Sequence, residues 1–403
     1  MLSVLRNRRF AALFASQVSS LAATGLLTVA LALVAVRLDP AGAAGIIATA
    51  LTIRIAVYVV VSPIASALLA GRSSRAVLIT ADLVRLAVAA ALVLATAPWQ
   101  LYLGIVLLQT ASAVFTPTYQ AVIPRVLPDE RDYTAAQSLS RLAYDLESLL
   151  SPPLAALLVL VLPPQALFAV TALGFLGSAI GVLLAGLHDQ VGSTAEPVGR
   201  RLLRGIGVLV RTPGPRFAAV LDAVSATIYA TVLVSSVVLL IDSGADPADP
   251  SAALAIVLVA FGLGSIAVAL ALPALLRVLR DTSVMLLGAA LAVIVLAATA
   301  AAALLGGLSI AALAVLWLVL GASSSAISTP SARLIRAEVP PDQHAAVFAA
   351  RFSTSHAWYA VTYPLAGVLG TLAPSGVATA VLAGLAALAV VIGAAMASSR
   401  VRR

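Results

Sequence analysis

The sequence predicts an all-α integral membrane protein with about twelve transmembrane helices in two six-helix, pseudo-symmetric bundles. Three observations predict this fold class: an apolar composition, the spacing of the apolar segments, and weak repeats between the two halves. Of the 403 residues, 62% are hydrophobic and 10% are charged, whereas soluble domains average about 45–50% apolar and about 25% charged. A soluble chain of this length would need polar surfaces for two or three domains. This composition cannot cover such surfaces, and we therefore expect the chain to lie in a bilayer.

The apolar segments number twelve. A helix needs about 20 mainly apolar residues to cross the hydrocarbon core of a membrane. In chain order the predicted spans are Ala11–Val36, Ala43–Ala70, Ala76–Ala97, Leu101–Ile123, Tyr133–Leu162, Ala166–Leu187, Arg216–Ile241, Ser251–Leu276, Ser283–Leu305, Leu308–Ser331, Ala345–Leu372 and Gly376–Ala397. The predicted domains are an N-terminal bundle over residues 1–188, a cytoplasmic linker over 189–212 and a C-terminal bundle over 213–403. The first span is too long for a signal-peptide core and is predicted to be an uncleaved helix.

Arginines cluster in alternate connecting segments. The chain has no lysine and a formal charge of +8, and most arginines lie at the ends of apolar segments, which is typical of membrane topology rather than of nucleic-acid binding. The arginines of the alternate segments are Arg72, Arg75, Arg125, Arg131, Arg200, Arg201, Arg204, Arg211, Arg277, Arg280, Arg333, Arg336, Arg400, Arg402 and Arg403. Because positive residues concentrate on the cytoplasmic side, we expect both termini to be cytoplasmic.

Short repeats relate the two halves. Arg9-Phe10-Ala11-Ala12 recurs as Arg216-Phe217-Ala218-Ala219, each time at the head of a half. Thr116-Pro117 recurs as Thr329-Pro330 at the end of the fourth span of each half. The Pro-Asp pair that follows each repeat keeps the same offset. Parallel halves related by an axis along the membrane normal are one plan of secondary transporters.

Several motifs carry a resemblance to a known family. They are Leu5-Arg6-Asn7-Arg8-Arg9-Phe10, Ser16-Gln17-Val18-Ser19, Ala81-Asp82-Leu83-Val84-Arg85 and the run from Phe115 to Pro124. With these motifs the chain resembles the major facilitator superfamily over nearly its whole length, in particular the bacterial exporter branch related to enterobactin and multidrug exporters. The run from Ser138 to Pro152 is similar to a subgroup that includes bacterial nickel-resistance exporters. The resemblance implies a multi-pass protein of the bacterial plasma membrane whose two halves rock around a central site.

The resemblance also indicates gating residues and departures from the family pattern. Arg72 and Arg75 match the basic end of the family's loop between the second and third helices, whereas Ala70 stands where the family has an acidic residue. The family's glycine-rich motif of the fifth helix is reduced here to Ser151-Pro152-Pro153. We therefore expect Arg72, Arg75 and Pro152 to have gating or structural roles.

The fifth span contains three ionisable residues, Arg141, Asp145 and Glu147. Such residues are costly inside a bilayer and mark candidate functional sites. Arg141 and Asp145 are four residues apart and can pair on one helix face. Asp145 and Glu147 are two apart, about 200° around the helix, and cannot both face one cavity. One carboxylate is a candidate proton or cation site in the pathway. The alternative is a structural Arg141–Asp145 pair, with Glu147 hydrogen-bonded to a neighbouring helix.

Four charged residues in other spans are further candidates. Arg54 lies in the middle of the second span and needs a counter-charge, for which the carboxylates of the fifth span are the candidates; it could also hold an anionic substrate. Asp222 in the seventh span is a candidate for transport or for a gate contact. Asp82 and Arg85 open the third span, where we expect a structural role.

Two uncharged or weakly basic residues complete the candidate pathway. His356 shares a helix face with Tyr359 and Tyr363 and could carry a proton or bind a metal, or simply satisfy a hydrogen bond. Gln17 in the first span lines the pathway or packs between helices. Asp145, Glu147 and His356 are the ligands that a divalent metal would use.

The sequence excludes several classes of activity. It has no cysteine for thiolate chemistry, no lysine for a phosphate-binding loop and no loop long enough for a catalytic domain. We therefore expect no enzyme activity, no cofactor, no nucleic-acid partner and a monomer. The leading hypothesis is a proton-coupled exporter of small amphipathic compounds, and the alternative is a nickel or cobalt exporter.

Overall fold

The computed structural model describes residues 2–39, 43–187, 197–246 and 251–401. These residues form fourteen α-helices and contain no strand. The helices are α1 (Arg8–Leu38), α2 (Ala43–Leu69), α3 (Ser74–Leu92), α4 (Pro98–Val126), α5 (Glu130–Val159), α6 (Ala166–Leu184), α7 (Val198–Arg211), α8 (Pro213–Ala230), α9 (Ser236–Asp242), α10 (Ser251–Leu275), α11 (Asp281–Leu304), α12 (Ile310–Glu338), α13 (His344–Leu372) and α14 (Ser375–Val401). A π-helical turn, Thr231–Ser235, joins α8 to α9.

Each of the twelve predicted spans contains a helix. Within the described ranges, nine helical segments are long and apolar enough to cross a membrane. The other three predicted spans correspond to α3, α5 and α13, which carry charged or aromatic polar residues along their length. The largest differences from the predicted ends are in α3, which stops at Leu92 rather than Ala97, and α12, which continues to Glu338 beyond Ser331.

Polar side chains at helix starts explain several boundaries. The Asn7 side chain accepts hydrogen bonds from the backbone N–H groups of Arg9 and Phe10 at 3.1 and 3.2 Å, where α1 begins. Asp129 does the same for Arg131 and Asp132 at the start of α5. These caps satisfy backbone donors that have no partner within the helix. Loops therefore end, and spans begin, at the polar residues that separate the apolar segments.

The chain forms two compact units. Unit 1 comprises Met1–Ala136, Leu146–Val208 and Pro340–Ser353. Unit 2 comprises Gln137–Asp145, Leu209–Val339 and Thr354–Arg403. Three helices are therefore divided: the segment Gln137–Asp145 of α5 and the last residues of α7, from Leu209, belong to unit 2, and the first residues of α13 belong to unit 1.

In unit 1, α1 packs against α6, α2 against α4, and α3 against both α4 and α6. The core between these helices consists of alanine, leucine and phenylalanine side chains, among them Ala30, Leu101 and Phe168, each fully buried. Many alanines on the packed faces allow the helices to approach closely, which is how membrane helices associate when lipid is as apolar as their side chains.

Unit 2 repeats the same pairings with its own helices. The helix α8 packs against α14, α10 against α12, and α11 against both α12 and α14. These are the counterparts, under the internal repeat, of the four pairs of unit 1. The closest approach is between α10 and α12: a Cβ added to Gly264 would lie 1.8 Å from the carbonyl oxygen of Leu318, and one added to Gly321 would lie 1.8 Å from that of Phe261. Only glycine fits at these two positions.

The predicted linker contains a helix, α7, that was not predicted from the sequence. Residues 197–212 include α7, whereas the polar composition predicted only a connecting segment over 189–212. Its apolar and arginine residues alternate with helical spacing, and this periodicity is a signal that a composition-based interpretation overlooks.

Candidate functional site

The first candidate site lies in unit 1 around Glu147. The Glu147 carboxylate accepts a hydrogen bond from the Ser151 hydroxyl, one helical turn further along α5, at 3.3 Å. It lies against the backbone of α1, since a Cβ added to Gly25 would come within 2.2 Å of Oε1 of Glu147. The Arg54 guanidinium of α2 interacts with it electrostatically. Arg54 thus has the counter-charge that its position in the second span requires, and Glu147 supplies it.

Arg54 also borders a small cavity within unit 1. The cavity has a volume of about 50 Å³. Its lining is formed by Thr28, Leu31, Ala32, Ile46, Ile47, Ala50, Leu51, Arg54, Ile105 and Gln109. Most of these side chains are apolar, and Thr28, Arg54 and Gln109 are its polar features. The cavity is on the scale of about one or two water molecules.

Tyr58 connects Arg54 to Gln109. The Arg54 guanidinium lies 5.6 Å from the centre of the Tyr58 ring, one turn along α2. The Tyr58 hydroxyl donates to Oε1 of Gln109 in α4 at 2.6 Å, and both side chains are buried. The ring orients the cation, and the hydrogen bond orients the ring. Arg54 is therefore positioned by a buried tyrosine and amide.

The second candidate site lies in unit 2 around Arg141. Arg141 and Asp145 form an ion pair with an N–O distance of 3.0 Å, as their four-residue spacing predicts. Three hydroxyl groups of other helices complete this polar cluster, which we call the Arg141 cluster. They belong to Tyr229 of α8, Ser265 of α10 and Ser328 of α12, at 3.1, 2.9 and 3.3 Å from Arg141 nitrogens. Ser265 also donates to Asp145 at 2.6 Å.

An aromatic row extends from the Arg141 cluster along α13. The Tyr229 ring packs edge-on against Tyr359, with 6.0 Å between ring centres. Tyr359 in turn contacts His356 and Tyr363, each with 5.4 Å between ring centres. His356, Tyr359 and Tyr363 therefore share a face, as their spacing predicts. Asp222 of α8 is buried and interacts electrostatically with Tyr359, which places it beside this row.

Asp145 and Glu147 have different surroundings although they are two residues apart. Asp145 belongs to unit 2, where Arg141 and Ser265 are its partners. Glu147 belongs to unit 1, where its partners are Ser151 and Arg54. The two carboxylates thus have separate sets of partners. The two carboxylates can therefore have different roles.

The buried pair of α3 is enclosed within unit 1. Asp82 and Arg85 form an ion pair whose side chains are 0% and 2% exposed. Ser178 donates to Asp82 at 2.8 Å and Arg85 donates to Ser20 at 2.9 Å. The guanidinium carbon lies 4.3 and 4.6 Å from the centres of the rings of Phe115 and Phe175. Three neighbouring helices thus meet at one buried ion pair, which suits a structural role.

The remaining predicted residues are dispersed. Gln17 is buried in α1 and accepts a hydrogen bond from Tyr119 at 3.2 Å. Arg72 is exposed in the turn after α2, where Gly71 has a φ of 82°, and Arg75 lies in the first turn of α3. Pro152 lies within α5, but its side chain falls outside the described part of the structure.

A metal centre has no ligand set in the described residues. Among them, no group of three or more His, Asp or Glu side chains comes together in a way that could hold a metal ion. The alternative that Asp145, Glu147 and His356 form such a site therefore receives no geometric support.

Five residues of these two sites were not among those predicted from the sequence. They are Tyr58, Gln109, Tyr229, Ser265 and Ser328. Tyr58 is one turn from Arg54, and Gln109 is an amide within an apolar span. Both positions could therefore have been recognised from the sequence as candidate site residues. The hydroxyls of Ser265 and Ser328 carried none, since serine is common in packed membrane helices.

Known proteins resemble this chain in sequence pattern and in fold. The family model described as Major Facilitator Superfamily matches residues 13–308. No curated protein matches the chain. Among solved structures, the crystal structure of the human organic anion transporter MFSD10 (TETRAN) has a TM-score of 0.76 at 14% identity, over 96% of this chain and 99% of that one. The crystal structure of a bacterial homologue of the iron transporter ferroportin, in the outward-facing state, has a TM-score of 0.76 at 13% identity, over 97% and 100%. The crystal structure of the E. coli fucose:proton symporter has a TM-score of 0.71 at 13% identity, over 96% and 98%.

Proposed function

Because the chain belongs to the major facilitator superfamily, we propose that it is a proton-coupled exporter of small amphipathic compounds. Transport proceeds by alternating access between an N-terminal half over residues 1–188 and a C-terminal half over residues 213–403. The protein is placed in the bacterial plasma membrane as a monomer, with both termini cytoplasmic. The arginine-rich alternate loops support this orientation.

The observation that carries the proposal is the small number of partners that the Glu147 carboxylate has among the described residues. A proton-coupling carboxylate has to exist with and without its proton during the cycle. Protonation of Asp145 would disrupt its ion pair with Arg141 and the hydrogen bond from Ser265. Protonation of Glu147 costs less, because its partners are one serine hydroxyl at 3.3 Å and the charge of Arg54. We therefore assign proton coupling to Glu147, with Arg54 as the charge that responds to its protonation.

The walls around Arg54 indicate the class of substrate. The small cavity in unit 1 is lined mainly by alanine, leucine and isoleucine, together with Thr28, Arg54 and Gln109. Its volume of about 50 Å³ is well below the roughly 300–1,000 Å³ of a small-molecule site. It therefore marks a cation beside apolar side chains, which suits the charged end of an amphipathic compound rather than the whole molecule. The human structural neighbour transports organic anions by its name, which makes amphipathic anions the first class to assay.

Reconstitution into liposomes under an imposed pH gradient tests the coupling. The assay follows accumulation of fluorescent amphipathic anions and, in parallel, proton movement reported by a pH-sensitive dye in the lumen. For the unaltered protein we expect accumulation that depends on the gradient and that drives protons in the opposite direction. The variant Glu147→Gln should lose this dependence, because an amide cannot release a proton, while it keeps exchange of substrate between equal concentrations.

Glu130→Gln is the matched control, since Glu130 lies on the same helix but is exposed at its start. This variant should behave as the unaltered protein. Full gradient-driven accumulation by Glu147→Gln would contradict the assignment of Glu147. Loss of exchange as well as coupling would instead indicate a role in binding.

The alternative substrate class is a divalent metal. The same liposomes loaded with a nickel-sensitive or cobalt-sensitive dye test it directly, as does growth of a deletion strain on either metal. Because the described residues provide no cluster of metal-binding side chains, we expect neither uptake of metal nor a change in metal tolerance. The same deletion strain, screened against antibiotics, should show increased sensitivity to amphipathic compounds.

A further inference from the structure

The helix α7 presents three distinct sides. Its packed side includes Gly205 and Leu209, which are buried. A second side carries Leu203, Ile206 and Val210, spaced three and four residues apart, and a third carries Arg200, Arg204 and Arg211. At 100° per residue the centres of the apolar and arginine sides are about 100° apart. Two different exposed surfaces therefore run side by side along one short helix.

The packed side fixes α7 at the ends of membrane-spanning helices of unit 1. A Cβ added to Gly205 would lie 2.6 Å from the carbonyl oxygen of Ala346, in the first turn of α13. Arg201 donates to the carbonyl oxygen of Ala70, directly after α2, at 3.4 Å. Since α2 crosses the apolar core and ends here, α7 lies at the level where the hydrocarbon region gives way to lipid headgroups. The membrane span that begins with α8 follows α7 after one residue.

The apolar side of α7 is exposed within the described part of the chain. Leu203, Ile206 and Val210 are 68%, 39% and 53% exposed. Transfer of such side chains from water to an apolar medium is favourable by about 25 cal/mol per Å². At the boundary between the headgroups and the hydrocarbon region, the acyl chains supply that apolar medium.

The arginine side supplies charge next to this apolar surface. Arg200, Arg204 and Arg211 are all exposed. Long arginine side chains can extend from a helix in the interface to phosphate groups, with which guanidinium forms paired hydrogen bonds. A helix with an apolar side and an adjacent arginine side is typical of segments that lie in the plane of a membrane that contains anionic lipids.

We propose that α7 is an interfacial helix that binds anionic phospholipid headgroups through Arg200, Arg204 and Arg211, with Leu203, Ile206 and Val210 in the acyl boundary. This lipid site anchors the linker between the two halves to the membrane surface. The proposal concerns binding of lipid and does not depend on the substrate or on proton coupling, so that it stands or fails separately from the proposed function.

The position of α7 can be measured with spin labels, because the chain contains no cysteine. Leu203→Cys and Arg200→Cys are labelled singly in the full-length protein and reconstituted in liposomes of phosphatidylcholine and phosphatidylglycerol. We expect the label at 203 to collide more with oxygen, which concentrates in the acyl region. The label at 200 should collide more with a water-soluble nickel chelate. A label at 203 that the chelate reaches more readily than oxygen would overturn the proposal, and protection of that label only after addition of soluble polyglutamate would indicate an acidic protein partner instead.

Selectivity for anionic lipid is tested by the triple variant Arg200→Gln, Arg204→Gln, Arg211→Gln. Its matched control is Arg6→Gln, Arg8→Gln, Arg9→Gln, which removes the same charge from exposed positions at and just before the start of α1. Enrichment of phosphatidylglycerol over phosphatidylcholine is measured on protein extracted from mixed nanodiscs. Because each arginine near an anionic surface contributes about fivefold to affinity, the α7 variant should lose most of the enrichment and the control should retain it. Equal loss in both variants would show a general effect of positive charge and would overturn a site on α7.

Discussion

Two pairs of corresponding helices are joined by polar contacts in unit 1 and by close backbone approach in unit 2. The pair α2–α4 contains the hydrogen bond from Tyr58 to Gln109. Its counterpart under the internal repeat, α10–α12, has Gly264 and Gly321 facing carbonyl oxygens of the opposite helix. The repeat therefore retains which helices pack together, whereas the chemistry that joins them has diverged between the halves.

The same contrast holds for the third and sixth spans of each half. The helices α3 and α6 share the Asp82–Arg85 pair and the hydroxyl of Ser178. Between their counterparts, α11 and α14, Gly376 lies where an added Cβ would be 2.9 Å from the carbonyl oxygen of Ala300. A polar contact between two helices requires both of its partners. A close backbone approach at glycine requires the absence of a side chain. The two units should therefore respond differently to substitution.

The largest effect is expected from Asp82→Ala. This change leaves Arg85 buried without its carboxylate, and loss of one member of a buried ion pair costs about 3–5 kcal/mol. Thermal unfolding of the detergent-solubilised protein should show a large decrease in stability, together with a low yield. The double variant Asp82→Leu, Arg85→Leu removes both charges and should recover much of the lost stability. A double variant no more stable than Asp82→Ala would show that the pair itself is not what stabilises unit 1.

A smaller loss is expected from Gly264→Ala in unit 2. The added methyl group would lie 1.8 Å from the carbonyl oxygen of Leu318, so that α10 and α12 have to separate, at a cost of about 1–3 kcal/mol. The matched control is Gly384→Ala in α14, where no atom lies within 4 Å of the added Cβ. Thermal unfolding should show a decrease for Gly264→Ala and no decrease for Gly384→Ala. Equal stability of the two variants would contradict the close approach.

The sequence predicts the elements of this fold better than their contacts. Apolar length and arginine placement locate twelve helices, because both follow from the cost of burying backbone and charge in a bilayer. Helix geometry also predicts the Arg141–Asp145 pair and the separation of Asp145 from Glu147. These predictions need residues of one helix only, whose spacing the sequence contains.

Contacts between helices are not predictable in the same way. Tyr229, Ser265 and Ser328 reach Arg141 from three different helices, and nothing in their own segments indicates which neighbour they meet. Alanine-rich spans have weak periodicity, so that the packed face cannot be distinguished from the lipid face. The Arg54–Glu147 interaction was an exception, since a charge in the middle of a span requires a counter-charge and few were available.

The smallest decrease in stability should come from Tyr58→Phe, which tests the hydrogen bond between α2 and α4. The change removes one hydroxyl, and with it the 2.6 Å hydrogen bond to Gln109. The loss should be about 1 kcal/mol, the usual net value of such a bond. Tyr102→Phe in α4 is the matched control, since Tyr102 is only partly buried, and it should leave stability unchanged. A double-mutant cycle with Gln109→Leu should give a coupling of about 1 kcal/mol for Tyr58 and Gln109. A coupling near zero would mean that α2 and α4 are held by packing alone, and that the contrast between the two units is narrower than the Tyr58–Gln109 contact indicates.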